Sequence, residues 1–322
     1  MSDDPRTLVA PELLPGLEMM PTLVLNDETI TMFRGMLGLP PVEVPPALVR
    51  VRCEERFVPG APGSPEVRIL LYTPPGAAEA LRPAYLHVHG GGYVLGRPEF
   101  NDLSNRALAL ELGCVVVSVA YRLAPEAVFP AARDDCHATL GWLHREAGAL
   151  GVDRARIAIG GESAGGGHAV ALALHARDRG EYPICLMLLD APMLDDRTGT
   201  SVPASPHQGR LVWTPENNHF GWKSLLGRAP GGDDIAPESV PARCADLAGL
   251  PPTFLAVGAL DLFMAEDLDF ARRLASAGVP VELHVTPGGY HGFGVAGPDT
   301  QQVRTLQALR AAALARAFQR KG

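Results

Sequence analysis

A serine flanked by glycines two residues away on each side is the first feature of this sequence with the types and spacing for chemistry. Gly161-Glu162-Ser163-Ala164-Gly165 follows a β-branched run at 156–159 and leads into a small-residue stretch at 166–176 that reads as a helix. Strand, sharp turn and helix, in that order, leave a serine hydroxyl exposed at the tip of a strained turn. Glycines at 161 and 165 remove the Cβ atoms that would clash there, and Ser163 is expected to hold a positive φ. A serine hydroxyl is a poor nucleophile until a base takes its proton, and the base is usually a histidine oriented by a carboxylate. His291 lies in the loop Pro287-Gly288-Gly289-Tyr290-His291-Gly292-Phe293, after one strand-like run, and Asp261 follows another. Its rivals Glu266, Asp267 and Asp269 fall on the next helix, where acids complement the dipole of the N-terminus. Asp261 is therefore the favoured acid.

Acyl transfer also needs hydrogen-bond donors for an oxyanion. His89-Gly90-Gly91-Gly92-Tyr93 follows a strand-like run at 84–88, and its three glycines let backbone N–H groups turn into a cavity. The rival reading is a phosphate-binding loop, but no Gly-Lys-Ser/Thr follows and no G-x-G-x-x-G opens a helix. Ala164 adds an N–H at the start of its helix. Further strand-like runs, at 114–119, 184–189, 253–257 and 281–285, alternate with helical segments at 101–112, 131–149, 164–179, 264–277 and 301–319. A pair at 49–58 and 66–72, joined by a Pro/Gly loop, reads as antiparallel. The fold class is α/β, with eight strands in a mostly parallel sheet and helices on both faces. Ser163, Asp261, His291 and the glycine loop all then fall at one edge of that sheet.

Sixty residues between 189 and 253 are too many for a structureless loop. They read as an inserted helical cap, packed with the N-terminal segment and its helical piece at 26–37. The expected organisation is 1–45 as the N-terminal part of the cap, 46–190 as the first part of the core, 191–245 as the inserted cap and 246–322 as the rest of the core. Tyr93, Trp213, Phe220 and Trp222 are the candidates for lining a substrate pocket, with packing as the rival role for the last three.

The 322 residues are 47% hydrophobic with a net charge of −8. There is no basic stripe, so nucleic acid is not expected as a partner. Five cysteines are dispersed without C-x-x-C spacing, the N-terminus shows no signal pattern, and no apolar run reaches membrane-spanning length. A cytoplasmic, membrane-free protein is the expectation. His87 and His89 form an H-x-H, but no further ligands complete a zinc site and a fixed loop role is favoured. Glu162 reads as an anchor of the serine turn, and the charged pair Arg122 and Glu126 as a structural contact. His137, His144, His168 and His175 fall on helices as structural or solvent-facing groups.

His89-Gly90-Gly91-Gly92, Gly161-Glu162-Ser163-Ala164-Gly165-Gly166, Tyr121-Arg122-Leu123-Ala124-Pro125-Glu126, Asp261-Leu262 and His291-Gly292-Phe293 together resemble the hormone-sensitive-lipase-like (bacterial group IV) carboxylesterases of the α/β-hydrolase fold. Leu194-Asp195-Asp196 and the run at 246–252 resemble the heroin-esterase-like members. Two departures stand out: Glu162 where the family often has Asp, and Asp261-Leu262-Phe263 for its usual Asp-Pro-Leu. The resemblance implies Ser163 as nucleophile, His291 as base, Asp261 as orienting acid, and the Gly91, Gly92 and Ala164 N–H groups as oxyanion hole. It also implies hydrolysis of short-chain carboxylic esters through an acyl-enzyme, with no metal or cofactor, and a homodimer through the last sheet-edge strand. The alternatives kept open are an amide or arylformamide hydrolase of the same fold and a non-catalytic small-molecule receptor.

Overall fold

The computed structural model describes residues 4–36, 43–76 and 80–319. Eight strands form one sheet: β1 (Arg52–Val58), β2 (Val67–Thr73), β3 (Arg82–Val88), β4 (Val115–Ala120), β5 (Val152–Glu162), β6 (Leu186–Asp190), β7 (Thr253–Gly258) and β8 (Val281–Thr286). Their order is β1-β2-β4-β3-β5-β6-β7-β8, with β2 antiparallel to both neighbours and every other pairing parallel. The helices are α1 (Leu14–Met19), α2 (Ile30–Met36), α3 (Pro46–Val49), α4 (Asp102–Leu112), α5 (Ala131–Leu150), α6 (Ala164–Arg179), α7 (Pro215–Leu226), α8 (Met264–Ser276), α9 (Phe293–Ala296) and α10 (Gln301–Gln319).

The continuously apolar strands are covered on both faces. On β4, Val115, Val117 and Val119 belong to the core that also holds α5, α6 and α8, while Val116 belongs to the core that holds α4 and α10. Period-2 alternation on a two-faced sheet produces this split. Parallel strands joined by right-handed crossovers bring the C-terminal ends of β3, β5, β6, β7 and β8 to one edge, and the loops leaving that edge carry Ser163, Asp261, His291 and the glycine loop.

Boundaries differ from expectation where a turn overrides propensity. The strand expected from residue 49 begins at Arg52, because Pro46 opens the short helix α3. The strand expected over 156–159 is the eleven-residue β5, which runs to Glu162 and delivers Ser163 directly from the ladder. The helix expected over 26–37 forms as α2, and Leu37 lies outside the described residues.

The stretch 191–245 is less helical than expected. Among the described residues it holds one α-helix, α7, and two three-residue 3₁₀ turns. Recurrent Pro and Gly stop longer helices there. It shares a core with the N-terminal segment, where Leu25, Ile30 and Phe33 pack with Trp213, Phe220 and Trp222. The Asn217 side chain accepts from Leu25 N–H at 2.9 Å and donates to the Leu23 carbonyl at 2.9 Å.

Candidate active site

Ser163 sits between β5 and α6 with φ 55° and ψ −124°, the positive φ expected of it. A Cβ on Gly161 would lie 2.1 Å from the Val88 carbonyl oxygen, and one on Gly165 would lie 2.0 Å from the same atom. The turn is therefore pressed against the end of β3, and only glycine fits on either side. Backbone bonds fix it further: Ser163 N–H donates to Asp190 O at 2.9 Å, and Met193 N–H donates to Ser163 O at 2.9 Å.

The three residues singled out by type come together in a hydrogen-bonded row. His291 Nε2 is 3.0 Å from Ser163 Oγ, and His291 Nδ1 is 2.8 Å from Asp261 Oδ2. The other carboxylate oxygen of Asp261 accepts from Phe263 N–H at 3.0 Å. Asp261 is 1% exposed and Ser163 and His291 are 8% and 9% exposed, so the row is largely buried. Burial works to lower the His291 pKa. The Asp261 carboxylate, by charge and hydrogen bond, and Asp190 beyond it outweigh burial and hold the imidazole above its ordinary value. Such a row can take the proton of the serine hydroxyl.

Gly91 (φ 127°) and Gly92 (φ 59°) adopt backbone angles that side chains disfavour. Their N–H groups donate to no protein acceptor among the described residues. Glu162 tethers this loop to the serine turn: its carboxylate accepts from Gly90 N–H at 3.0 Å and contacts His87 Nε2 at 3.0 Å. Burial works to raise the Glu162 pKa, but His87, the Gly90 N–H and Arg310 together hold it down to about 2. The anchoring reading of Glu162 fits this geometry.

The aromatic candidates divide. The Trp213 ring lies against Gly92, where a Cβ would come 2.1 Å from it, and its centroid is 6.0 Å from that of His291. Tyr93 is buried, donates to Met193 O at 2.7 Å and packs edge-on to Trp222 at 5.0 Å. Trp222 is fully buried and Phe220 lies in the same cluster. Only Trp213 thus borders both the glycine loop and the histidine.

His87 and His89 do not converge. His87 Nδ1 lies 2.9 Å from Ser118 Oγ, while His89 Nδ1 lies 2.8 Å from Gly90 O and its ring stacks on Tyr121 at 4.2 Å. Arg122 and Glu126 do not pair with each other, contrary to the charged pair read from the sequence. Arg122 binds the buried Asp135 at 2.7 Å, and Glu126 binds Arg34 of α2 at 2.6 Å. Each is still a structural contact. Of the rival acids, Glu266 accepts from Leu194 N–H at 2.7 Å and so ties α8 to the chain leaving β6.

Sequence reasoning missed the N-terminal segment as support for the histidine loop. Ala10 N–H donates to Gly288 O at 3.2 Å, and Tyr290 Oη donates to Leu13 O at 3.1 Å. Glu12 caps α10 by accepting from the Gln301 and Gln302 N–H groups at 3.0 Å each. An acid two hundred and more residues from the helix it caps carries no local signal.

A parallel sheet with these loops at its C-terminal edge, a serine on a positive-φ turn and a Ser–His–Asp row define an α/β-hydrolase. A family model described as the alpha/beta hydrolase fold matches residues 85–295, and the chain belongs to that family, in its hormone-sensitive-lipase-like branch. It is similar to the carboxylesterase NlhH of Mycobacterium tuberculosis, 33% identical over 293 residues that cover 89% of this chain and 90% of the relative. It is also similar to esterase LipI of the same organism, 35% identical over 90% of this chain and 89% of the relative. Among solved structures, a bacterial heroin esterase superposes with a TM-score of 0.89 at 35% identity, covering 98% of this chain and 100% of that one.

Proposed function

We propose that this protein is a serine carboxylesterase acting on short-chain esters, with Ser163 as nucleophile, His291 as general base and acid, and Asp261 as the orienting carboxylate. The observation that carries the reading is the row Ser163 Oγ–His291 Nε2, 3.0 Å, and His291 Nδ1–Asp261 Oδ2, 2.8 Å, in a family whose relatives include carboxylesterases and esterases. Ser163 Oγ attacks the ester carbonyl carbon while His291 Nε2 takes its proton. The oxyanion is held by the N–H groups of Gly91, Gly92 and Ala164. Collapse breaks the bond to the alcohol, which leaves with the proton from His291. Water then gives a proton to His291 and attacks the acyl-enzyme carbonyl. The bond to Ser163 breaks, Ser163 recovers the proton, and the acid departs.

Trp213 is the aromatic assigned to the substrate side, because it alone of the four borders Gly92 and His291. Residues 191–245, together with the segment up to 45, act as the cap. Among the described residues no helix is long and apolar enough to cross a membrane, and five free cysteines suit a cytoplasmic site. Dimerisation through β8 fits its place at the open edge of the sheet.

The direct test is Ser163→Ala assayed on p-nitrophenyl acetate and butyrate. Turnover falls on the order of 10³-fold or more while the fold persists; substantial residual turnover would overturn the assignment. A fluorophosphonate probe that fails to label Ser163 would favour a binding role instead, and preferential cleavage of N-formylkynurenine would favour amide hydrolysis. A panel varying acyl length and alcohol separately defines the substrate class.

A further inference from the structure

A cavity of about 260 Å³ reaches the Ser163–His291 pair from the face of the sheet covered by α4 and α10. Apart from Ser163, Ala191 and Asp261, its walls come from the strands, the α4 region, α9, α10 and the histidine loop, and Trp213 is not among them. Its interior is charged. Glu162, Asp190 and Arg310 line it and keep 28%, 22% and 27% of their side-chain surface accessible, although each sits deep between layers. Arg310 makes one long contact, Nη1 to Asp190 Oδ2 at 3.4 Å. Tyr85, on β3 and 1% exposed, also lines the cavity, and its hydroxyl has no hydrogen-bond partner among the described residues. A buried hydroxyl without a protein partner is satisfied by water, and a cavity of this volume and polarity holds several. The outer rim is formed by exposed residues of three helices: Ser104, Ala107 and Glu111 on α4, Val295 on α9 and Gln307 on α10. The cavity therefore connects bulk solvent to the histidine by way of the α4 and α10 layer.

We propose that this cavity is a water conduit that delivers the hydrolytic water to the acyl-enzyme from the α4/α10 side. It rests on the ester-hydrolase reading and adds to it a route. The water oxygen bonds to the acyl carbon, its proton passes to His291 Nε2, and the Ser163–acyl bond breaks as Ser163 Oγ takes that proton back. Acyl-enzyme is then hydrolysed without the cap side having to readmit solvent. Because the conduit serves only the second half of the cycle, obstructing its rim slows deacylation and leaves acylation alone.

The experiment plugs the rim with Ser104→Trp/Gln307→Trp, at exposed positions remote from the reacting atoms. Acylation is read as the p-nitrophenol released when excess enzyme is mixed with p-nitrophenyl butyrate. Deacylation is read as the decay of butyryl-Ser163 by intact mass. The expected result is a several-fold slower decay with parental acylation rate, parental KM for acylation and parental melting temperature. Ser104→Ala/Gln307→Ala leaves the rim open and keeps both rates. Ala107→Trp repeats the obstruction from a third position, should the tryptophan pair not fold. Parental decay in the plugged, folded variants overturns the conduit. So does an equal loss in acylation or a raised KM, which would make the cavity a substrate pocket. If the parent chain forms no acyl-Ser163, the ester-hydrolase reading itself fails, and that result is separate from any change between parent and variant.

Discussion

The imidazole of His291 is pushed down by burial and pulled up, further, by the carboxylates of Asp261 and Asp190. The base must be neutral to take the proton of Ser163, so kcat/KM falls as pH drops through a midpoint that lies above the 6.5 of an unperturbed histidine. Asp261→Asn removes the principal upward influence. Its acid limb is expected to move to lower pH, and kcat to fall by about 10³–10⁴-fold, since the imidazole also loses its orienting acceptor. A pH–rate profile of both proteins checks this, and an unmoved limb would count against Asp261 as the partner. The same shift has a stability sign. A raised folded-state value means the charged ring is favoured by the fold; that contribution is complete below 6.5 and is lost as pH rises through the folded value. At this scale Ser163, Asp261 and His291 were legible because each sits on a turn with its own local signature. Asp190 was not. It is an ordinary acid at the end of an apolar strand, and only the β5–β6 register, which sets it opposite Glu162, brings it near the histidine.

The helix α7 touches the catalytic edge through a glycine. A Cβ on Gly221 would lie 2.6 Å from the Gly92 carbonyl oxygen, so Gly221→Leu must displace either α7 or the glycine loop. A loss of one oxyanion donor costs about 10²–10³-fold in kcat, and a drop toward that range with nearly unchanged KM is the expected outcome. Full activity in a folded Gly221→Leu protein would show that the loop does not depend on this helix. A neighbouring contact has a different expected signature. Asn217→Ala removes both bonds to the N-terminal segment, at Leu23 and Leu25. It should lower stability by about 1–3 kcal/mol as read by denaturant titration, and loosen residues 23–25 first in hydrogen exchange. The strand and helix alternation was legible as elements because apolar runs and turn residues are local. The single helix in the cap region was not, because there the chain is held by a shared core with α2 rather than by periodicity of its own.

Over the whole molecule the sheet ends in two edge strands. β1 closes one edge and β8 the other, and Leu283 on β8 is 39% exposed. An unpaired strand carrying apolar side chains is a template for a second copy related by a twofold axis. Light scattering on a sizing column is expected to give twice the chain mass, and Leu283→Lys to return it to the monomer with esterase activity retained. A monomeric parent at micromolar concentration would dismiss the β8 interface. The amino-acid sequence by itself singled out Ser163, Asp261 and His291, their order along the chain, and the alternation that places them at one sheet edge. Those properties follow from residue type, short-range spacing and turn stereochemistry. The tertiary structure alone decided which partner each charged side chain takes: Arg122 with Asp135 rather than Glu126, Glu126 with Arg34, and Glu12 with the start of α10. It alone also decided that Trp213 borders Gly92 and His291 while Trp222 is core, and that a polar cavity runs between α4 and α10. Charge and aromaticity state what a side chain can do, but the partner within 3 Å is chosen by how distant segments pack.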